Sequence, residues 1–568
     1  MSNSTSHGLP RRRFLQTTAI ATAAVAAGGA ASAQAQSSSS SSSALPGTRT
    51  LPGFATPPTA VFMHGVASGD PIPDSVVLWT RVTVSEEATP GSGVGKDVQV
   101  KWEVSTTQDF STIVGSGDVV ASAASDHTVH VDPHGLEPDT VYYYRFHALE
   151  QTSAIGRTKT APDYAAENSQ VNFGVASCAN WESGYFSAYR GLAAQAQAGE
   201  IDAVVFLGDY IYEYENGGYA GKSGVARPHW PAHEILTLQD YRTRHGRYKQ
   251  DTYLQEVHLA APWIVIWDDH ETADNSWRDG AGNHTEGAEG SWVDRKNAAM
   301  QAYFEWLPVR ASNPSQGGHL YRSLRFGSLV ELTMLDLRTY RDAETTQAYF
   351  NSPDRTMLGS EQFEWLRGQI RTSQATWNVL GNSVMMAPLK LGTIPETSSQ
   401  ASSANEAIGW ISERSTGIAL NSDQWDGYAN DRRILLQELK DKGSNVLFLT
   451  GDIHSEWANE IYLGDERIGA ELVGTSISAP NVDEIITSNT GQYVPENNEV
   501  TLLVEDVVRG QNPWVKHLDF DAHGFAVARI RPDQVSMEYY RVSDVEVDNA
   551  PVHLAVTKQW SPQAGFVQ

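Results

Sequence analysis

The sequence predicts an α/β protein built in two parts: an immunoglobulin- or fibronectin-like β-sandwich, then a larger α/β sandwich. Three observations predict it. From about Val61 to Thr160, short β-branched and aromatic runs alternate with Gly, Pro, Asp and Ser, the pattern of an all-β module. From about Gln170, apolar strand-like runs alternate with helical stretches, as in layered α/β folds. Four of those apolar runs end in residue types that bind metals, and open α/β sheets place their ligands at the carboxyl ends of strands. At 568 residues the chain has room for both parts, since domains usually run about 100–200 residues.

Read in order, the chain opens on an address. Arg11-Arg12-Arg13-Phe14-Leu15 precedes a mildly apolar run, and small residues at Ala-x-Ala spacing follow at Ala31-Ser32-Ala33 and Ala33-Gln34-Ala35. A basic segment, an apolar segment and a cleavage site in that order make a signal peptide. The paired arginines before Phe-Leu resemble the twin-arginine type. Residues 1–35 are expected to be removed after passage through the twin-arginine translocase, leaving a secreted or periplasmic protein. A flexible Ser-rich leader, 36–58, follows.

The β-sandwich is assigned to 59–162, with strands at Val76–Trp79, Val98–Val104, Val129–Val131 and Val141–Phe146. Gly135–Tyr144, a turn running into an aromatic strand, is common in such sandwiches. The larger part is assigned to 163–568. Its strands are expected at Val171–Ala176, Ala203–Leu207, Trp263–Trp267, Leu329–Leu335, Trp377–Leu380 and Val446–Leu449. Its helices are expected at Tyr185–Ala198, Trp292–Trp306, Ser360–Thr372 and Asp431–Lys440. Beyond Ile485, strands are expected near Val500–Val504, Ala526–Ile530 and Ser536–Val542. This tail is expected to add strands to a second sheet or to cover the site.

Composition narrows the function. The formal charge is −27, and the removable leader carries arginines but no acids, so the mature protein is more acidic still. No basic stripe suited to a nucleic-acid backbone stands out, whereas an acidic surface suits calcium. No internal run approaches the roughly 18 apolar residues of a membrane span. Cys178 is the single cysteine, so an exported chain would fold without an internal disulfide. The expected state is a monomer.

Four strand ends carry the chemistry. Phe173–Ala176 runs into Ser177-Cys178, and Val204–Leu207 into Gly208-Asp209-Tyr210-Ile211-Tyr212. Ile264–Trp267 runs into Asp268-Asp269-His270-Glu271, and Leu447–Leu449 into Thr450-Gly451-Asp452-Ile453-His454. A thiolate, a phenolate and an imidazole suit a transition ion such as iron(III), while carboxylates suit calcium or magnesium. An aspartate can bridge two ions, and paired ions can orient a nucleophile and neutralise phosphoryl oxygens. Each residue alone has a plainer reading: Cys178 as a packed thiol, Asp209 as a helix cap, Tyr212 as a packed aromatic, 268–271 as a solvated loop. Asp452 and His454, two residues apart, point the same way from an extended strand end.

Taken together and in this order, these segments resemble the PhoD-type alkaline phosphatase and phosphodiesterase family, a branch of the calcineurin-like metallophosphoesterases. His64–Pro71 and Val76–Arg81 resemble that family's N-terminal β-domain signature. Ala176–Cys178, Gly208–Glu213, Trp267–Glu271 and Gly451–Ser455 resemble its later motifs. The resemblance covers nearly the whole mature chain and implies a metallophosphoesterase α/β/β/α sandwich for 163–568, with iron(III) and two calcium ions. It implies Cys178, Tyr212 and His454 as iron ligands, Asp209 as a bridge between iron and calcium, and Asp269 and Asp452 as calcium ligands. His270 matches the histidine that lies over the leaving group, as general acid or charge stabiliser. The superfamily's fourth motif supplies a histidine; here Gly381-Asn382-Ser383 stands in its place, making Asn382 the candidate ligand and Asn297 and Asn275 weaker alternatives.

The expected activity is hydrolysis of phosphate monoesters or diesters at alkaline pH through a metal-activated hydroxide, with His270 and Asp209 central to catalysis. A phospholipase D-like activity on phospholipid head groups differs from this only in substrate. A wall-binding protein holding structural calcium is the reading from another class. A structural site is filled by protein ligands, whereas a catalytic site keeps a position open, and structural calcium has no use for His270.

Overall fold

The computed structural model describes residues 60–390, 421–490 and 493–567; the expected signal peptide and Ser-rich leader lie outside them. Two sheets face each other. The larger has ten strands in the spatial order Gly565–Val567, Val552–Ser561, Val535–Val542, Gly524–Ile530, Val171–Ala176, Ala203–Phe206, Trp263–Val265, Val66–Ile72, Ser75–Arg81 and Thr128–Val131. The second has seven: Arg322–Phe326, Val330–Met334, Trp377–Asn382, Asn445–Thr450, Glu466–Val473, Glu456–Leu463 and Val515–Asp519.

Both centres are parallel. Val205 pairs with Val175 on one side and Ile264 on the other, and in the second sheet Asn382 pairs with Thr450. Parallel strands covered on both faces read as continuous apolar runs, and Ala203–Phe206 is buried at every residue. The inner faces share one core, in which Phe173 of the first sheet meets Phe326 of the second edge-on at 5.1 Å. Helices Ser187–Gln197 and Thr252–Ala260 cover the outer face of the first sheet with Leu192, Ala196, Leu254 and Val257. Helices Gly359–Thr372 and Ala429–Lys442 cover the second with Leu366, Ile370, Leu435 and Leu439. Each such leucine, isoleucine or valine contributes about 1.5–3 kcal/mol by leaving water. The expected α/β/β/α sandwich is what forms.

The N-terminal strands make a β-sandwich, but one of its layers is shared. A five-stranded sheet, with Val98–Ser105 and Val141–Ala148 at its middle, lays Val100, Val104, Tyr144 and Phe146 on Val66, Leu78 and Val129. Those three belong to the edge of the ten-stranded sheet, joined where Gly69 pairs in parallel with Trp263. The sandwich is thus continuous with the ten-stranded sheet.

The tail departs from expectation in two ways. Its last strands extend the first sheet, Ala526 pairing with Val175, while Val515–Asp519 closes the second. Val500–Val504, expected as strand, lies within the helix Glu499–Gln511. Thr501, Val504 and Val508 are buried, a spacing of three and four that fits a helix. Asn498 Oδ1 also accepts from the Thr501 amide at 3.0 Å, as a helix cap does. A short β-branched run leaves that choice open.

Candidate metal centre

The candidate residues converge where the parallel strands of both sheets end. One ligand atom each from Cys178, Asp209 and His454 lies within 4.8 Å of the others, and so do atoms of Asp209, Asp269 and His270. Asp209 belongs to both groups. The sheets approach closely here: a Cβ on Gly451 would stand 2.8 Å from Ser177 Oγ.

Backbone strain marks the same positions. Cys178, Asp209, Asp452 and His454 all have left-handed φ, at 58°, 57°, 65° and 49°. Such conformations cost non-glycine residues of order 1–3 kcal/mol and persist where surrounding structure enforces them. Here the chain turns sharply off each strand and aims a side chain into the cleft. Glu271 holds the turns together, accepting from the backbone amides of Asp209 at 3.1 Å, Tyr210 at 2.6 Å and Asp268 at 2.9 Å.

Tyr212 donates its phenol proton to Asp209 Oδ2 at 3.1 Å and lies 3.3 Å from His454 Nε2. His454 Nδ1 is 2.9 Å from the Pro480 carbonyl. That bond places the proton on Nδ1 and frees Nε2 as a ligand. His270 stacks on Tyr212, centroids 4.3 Å apart, with its Nδ1 2.7 Å from Glu213 Oε2. Glu213 in turn accepts from the Asp274 amide and the Asn283 side chain.

The expected ligands are buried, apart from the half-buried Asp452 and His454 at the opening. Asn382 sits at the end of its strand, but its side chain is engaged elsewhere. Its oxygen accepts from Trp425 Nε1 at 2.7 Å and its nitrogen donates to the Val384 carbonyl and to Thr450. Asn275 lies beside the cluster, its backbone amide donating to Asp269 Oδ2, and Asn297 lies within the helix Trp292–Trp306.

Arg338 was not singled out by sequence. Its buried guanidinium forks onto Asp268 at 2.6 and 2.7 Å, meets Asp423 at 2.8 Å and reaches Asp452 at 3.3 Å. Arg341 pairs with the other oxygen of Asp423 at 2.6 Å. A signal for Arg338 did exist: Leu335-Asp336-Leu337-Arg338 is a fifth charged ending, after Val330–Met334. Tyr219, whose phenol lies 3.3 Å from His454 Nδ1, comes from a long loop with no comparable pattern.

The electrostatics are those of a site short of positive charge. Burial drives the Cys178 thiol, the Asp209 carboxyl and the Tyr212 phenol far above their ordinary values, and Asp209 adds repulsion to the other two. Burial and then Asp268 do the same to Asp452, despite Arg338. Burial pulls His454 down to about 4, keeping it neutral as a ligand must be. Burial also opposes charge on His270, but Asp269, Glu213 and Asp209 outweigh it and raise it well above the usual imidazole range. Asp269 Oδ1 is buried and has no donor among the described residues. An orphaned carboxylate oxygen, a thiol, a phenol and a neutral imidazole around one shared aspartate fit multivalent cations by charge and donor type.

Comparison with known proteins agrees. The family described as PhoD-like phosphatase matches residues 173–539, and the PhoD-like phosphatase N-terminal domain matches 48–162. Alkaline phosphatase D of Bacillus subtilis (strain 168) is 38% identical over 465 residues, 79% of this chain and 74% of that protein. A solved structure of PhoD superposes with a TM-score of 0.77 at 34% identity, covering 91% of this chain and 93% of that one. The chain belongs to the PhoD-like phosphatase family and is a phosphoric ester hydrolase.

Proposed function

We propose that this chain is an exported alkaline phosphatase and phosphodiesterase whose cleft holds one iron and calcium. The observation that carries the metal reading is Asp209, shared between a sulfur-, nitrogen- and oxygen-bearing group on one side and a carboxylate-bearing group on the other. Cys178, Tyr212 and His454 are assigned to iron, Asp269 and Asp452 to calcium, and Asp209 to both. Asn382 is left out because both ends of its amide are engaged. Bound there, such ions supply Lewis acidity that activates water and neutralises phosphoryl charge.

The chain's own residues do the rest. Glu213 fixes Nδ1 of His270, so the opposite nitrogen faces the cleft. The acidic surroundings push that ring toward its protonated form, the form that donates to the departing alkoxide. Arg338 locks Asp268 and steadies Asp423 and Asp452, fixing the positions of the carboxylates. Residues 59–162 serve as the accessory module and 163–568 as the catalytic part. The family matches at 48–162 and 173–539 support that division. The basic, apolar and Ala-x-Ala order of residues 1–35 supports twin-arginine export.

The test is metal content and turnover on a chromogenic phosphodiester, with and without calcium. Cys178→Ser is expected to lose iron in preference to calcium, and Asp209→Asn to lose most activity. A metal-replete Asp209→Asn enzyme with near-normal turnover would overturn the bridging assignment.

A further inference from the structure

We propose a second, separate site for a hard divalent cation of the calcium class, held by Asn481, Asp483 and Asp521. It lies where the helix Val482–Thr490 meets the loop after the strand Val515–Asp519. The three residues are 2%, 3% and 2% exposed. The Oδ1 atom of each is buried and accepts no hydrogen bond from the described residues.

Two cross-links bring the segments together. Asn481 Nδ2 donates to the Asp521 carbonyl, and His523 Nε2 lies 3.1 Å from Glu484 Oε2. The first uses the nitrogen of the Asn481 amide, which leaves the amide oxygen beside Asp521 with nothing to accept from. Among the described residues no cation forms an ion pair with either aspartate, and Lys222 acts on Asp483 only through its charge at a distance. His523 is taken by Glu484 and by Ser476 at 2.9 Å, and Lys222 pairs with Asp544 at 3.2 Å.

A buried carboxylate oxygen without donor or counter-charge is costly. An oxygen without a donor among the described residues also marks Asp269 in the candidate metal centre, although there Arg338 lies 3.8 Å from the other oxygen. Either both acids keep their protons or a cation joins them. Burial, with repulsion from Glu484 in one case and from Asp483 in the other, pushes Asp483 and Asp521 each up to about 8. Above that pH the protons leave, and a bound cation then makes the buried pair tolerable. Two carboxylates and an amide oxygen form an all-oxygen set that suits calcium, with carbonyls and water filling the remaining six to eight positions. Soft metals are disfavoured by the same set. Asn481 also follows Pro480, whose carbonyl orients His454, so the cation would brace that loop from outside the cleft.

The experiment compares full-length protein with its Asp483→Asn/Asp521→Asn variant, both purified in calcium and desalted, by plasma mass spectrometry for iron and calcium per chain. The expected result is one calcium fewer in the variant at equal iron. The wild-type melting temperature at pH 9 is also expected to fall further on weak chelation than the variant's. Equal calcium counts with equal chelator sensitivity overturn the proposal and leave two protonated acids. Asparagine keeps the shape of the neutral acid, and if the double variant does not fold, Asp521→Asn alone reads the same difference.

Discussion

His270 and Glu213 show how much one contact decides. A histidine exposed to water would be mostly neutral at alkaline pH; this one is pushed toward its charged form by Asp269 and by Glu213, the latter 2.7 Å away and itself fixed by two further donors. If His270 donates a proton to the leaving group, His270→Ala should lower kcat by about 10²–10⁴ on an alkyl phosphate. The loss should be much smaller on a p-nitrophenyl ester, whose oxide leaves unaided. Glu213→Gln should lower kcat about tenfold with KM nearly unchanged, as expected of a group acting through another. Steady-state kinetics on the two esters checks both. Equal losses on both esters would mean that His270 acts by charge alone.

At the scale of elements, the site is made by what happens just after each strand. The strands are ordinary buried parallel runs, and their endings turn through left-handed backbone at Cys178, Asp209, Asp452 and His454. Gly208 makes one of these turns possible. Its φ is +104°, and a Cβ there would stand 2.4 Å from the Asp268 Cβ. Gly208→Ala must therefore displace either the Asp209 turn or the Asp268–Arg338 fork. We expect a loss of about 1–3 kcal/mol in unfolding free energy, together with weaker metal retention. Denaturant titration with metal analysis reads both. Unchanged values for both would show that the turn is more tolerant than its geometry indicates.

For the whole molecule, burial sets the acid limit. His64, His229 and His245 are buried, and none of their ring nitrogens has a hydrogen-bond partner among the described residues. Burial pulls all three below the usual range, with neighbouring Arg or Lys charges adding to it and His245 brought down to about 3. The unfolded chain binds protons at these residues near pH 6.5, and the folded chain does not. Their stabilising effect is thus complete above about pH 6.5 and is lost as pH falls from there toward about 3. Each histidine costs at most about 1.4 kcal/mol per pH unit in that window. His245→Phe should flatten the fall of unfolding free energy between pH 6 and pH 4 by up to one proton's worth. A slope identical to wild type would show that His245 is protonated in the folded state.

Local sequence determined a good deal about this protein. The period and composition of apolar runs set the central strands: Val171–Ala176 was legible to the residue, and so was the helix Trp292–Trp306. The residue types at the strand ends announced where chemistry would gather, because strand ends in a parallel sheet have only one cleft to face. Tertiary structure alone decided the rest. Arg338 meets Asp268 across 70 residues and Asp452 across 114, and no local pattern encodes such a meeting. Backbone pairing made one layer of the N-terminal sandwich an edge of the ten-stranded sheet. Packing turned Glu499–Gln511 into a helix and engaged Asn382 with Trp425. The physical reason is range: propensity and periodicity act over a few residues, while charge pairing, burial and sheet registry are settled between segments that meet only in the folded state.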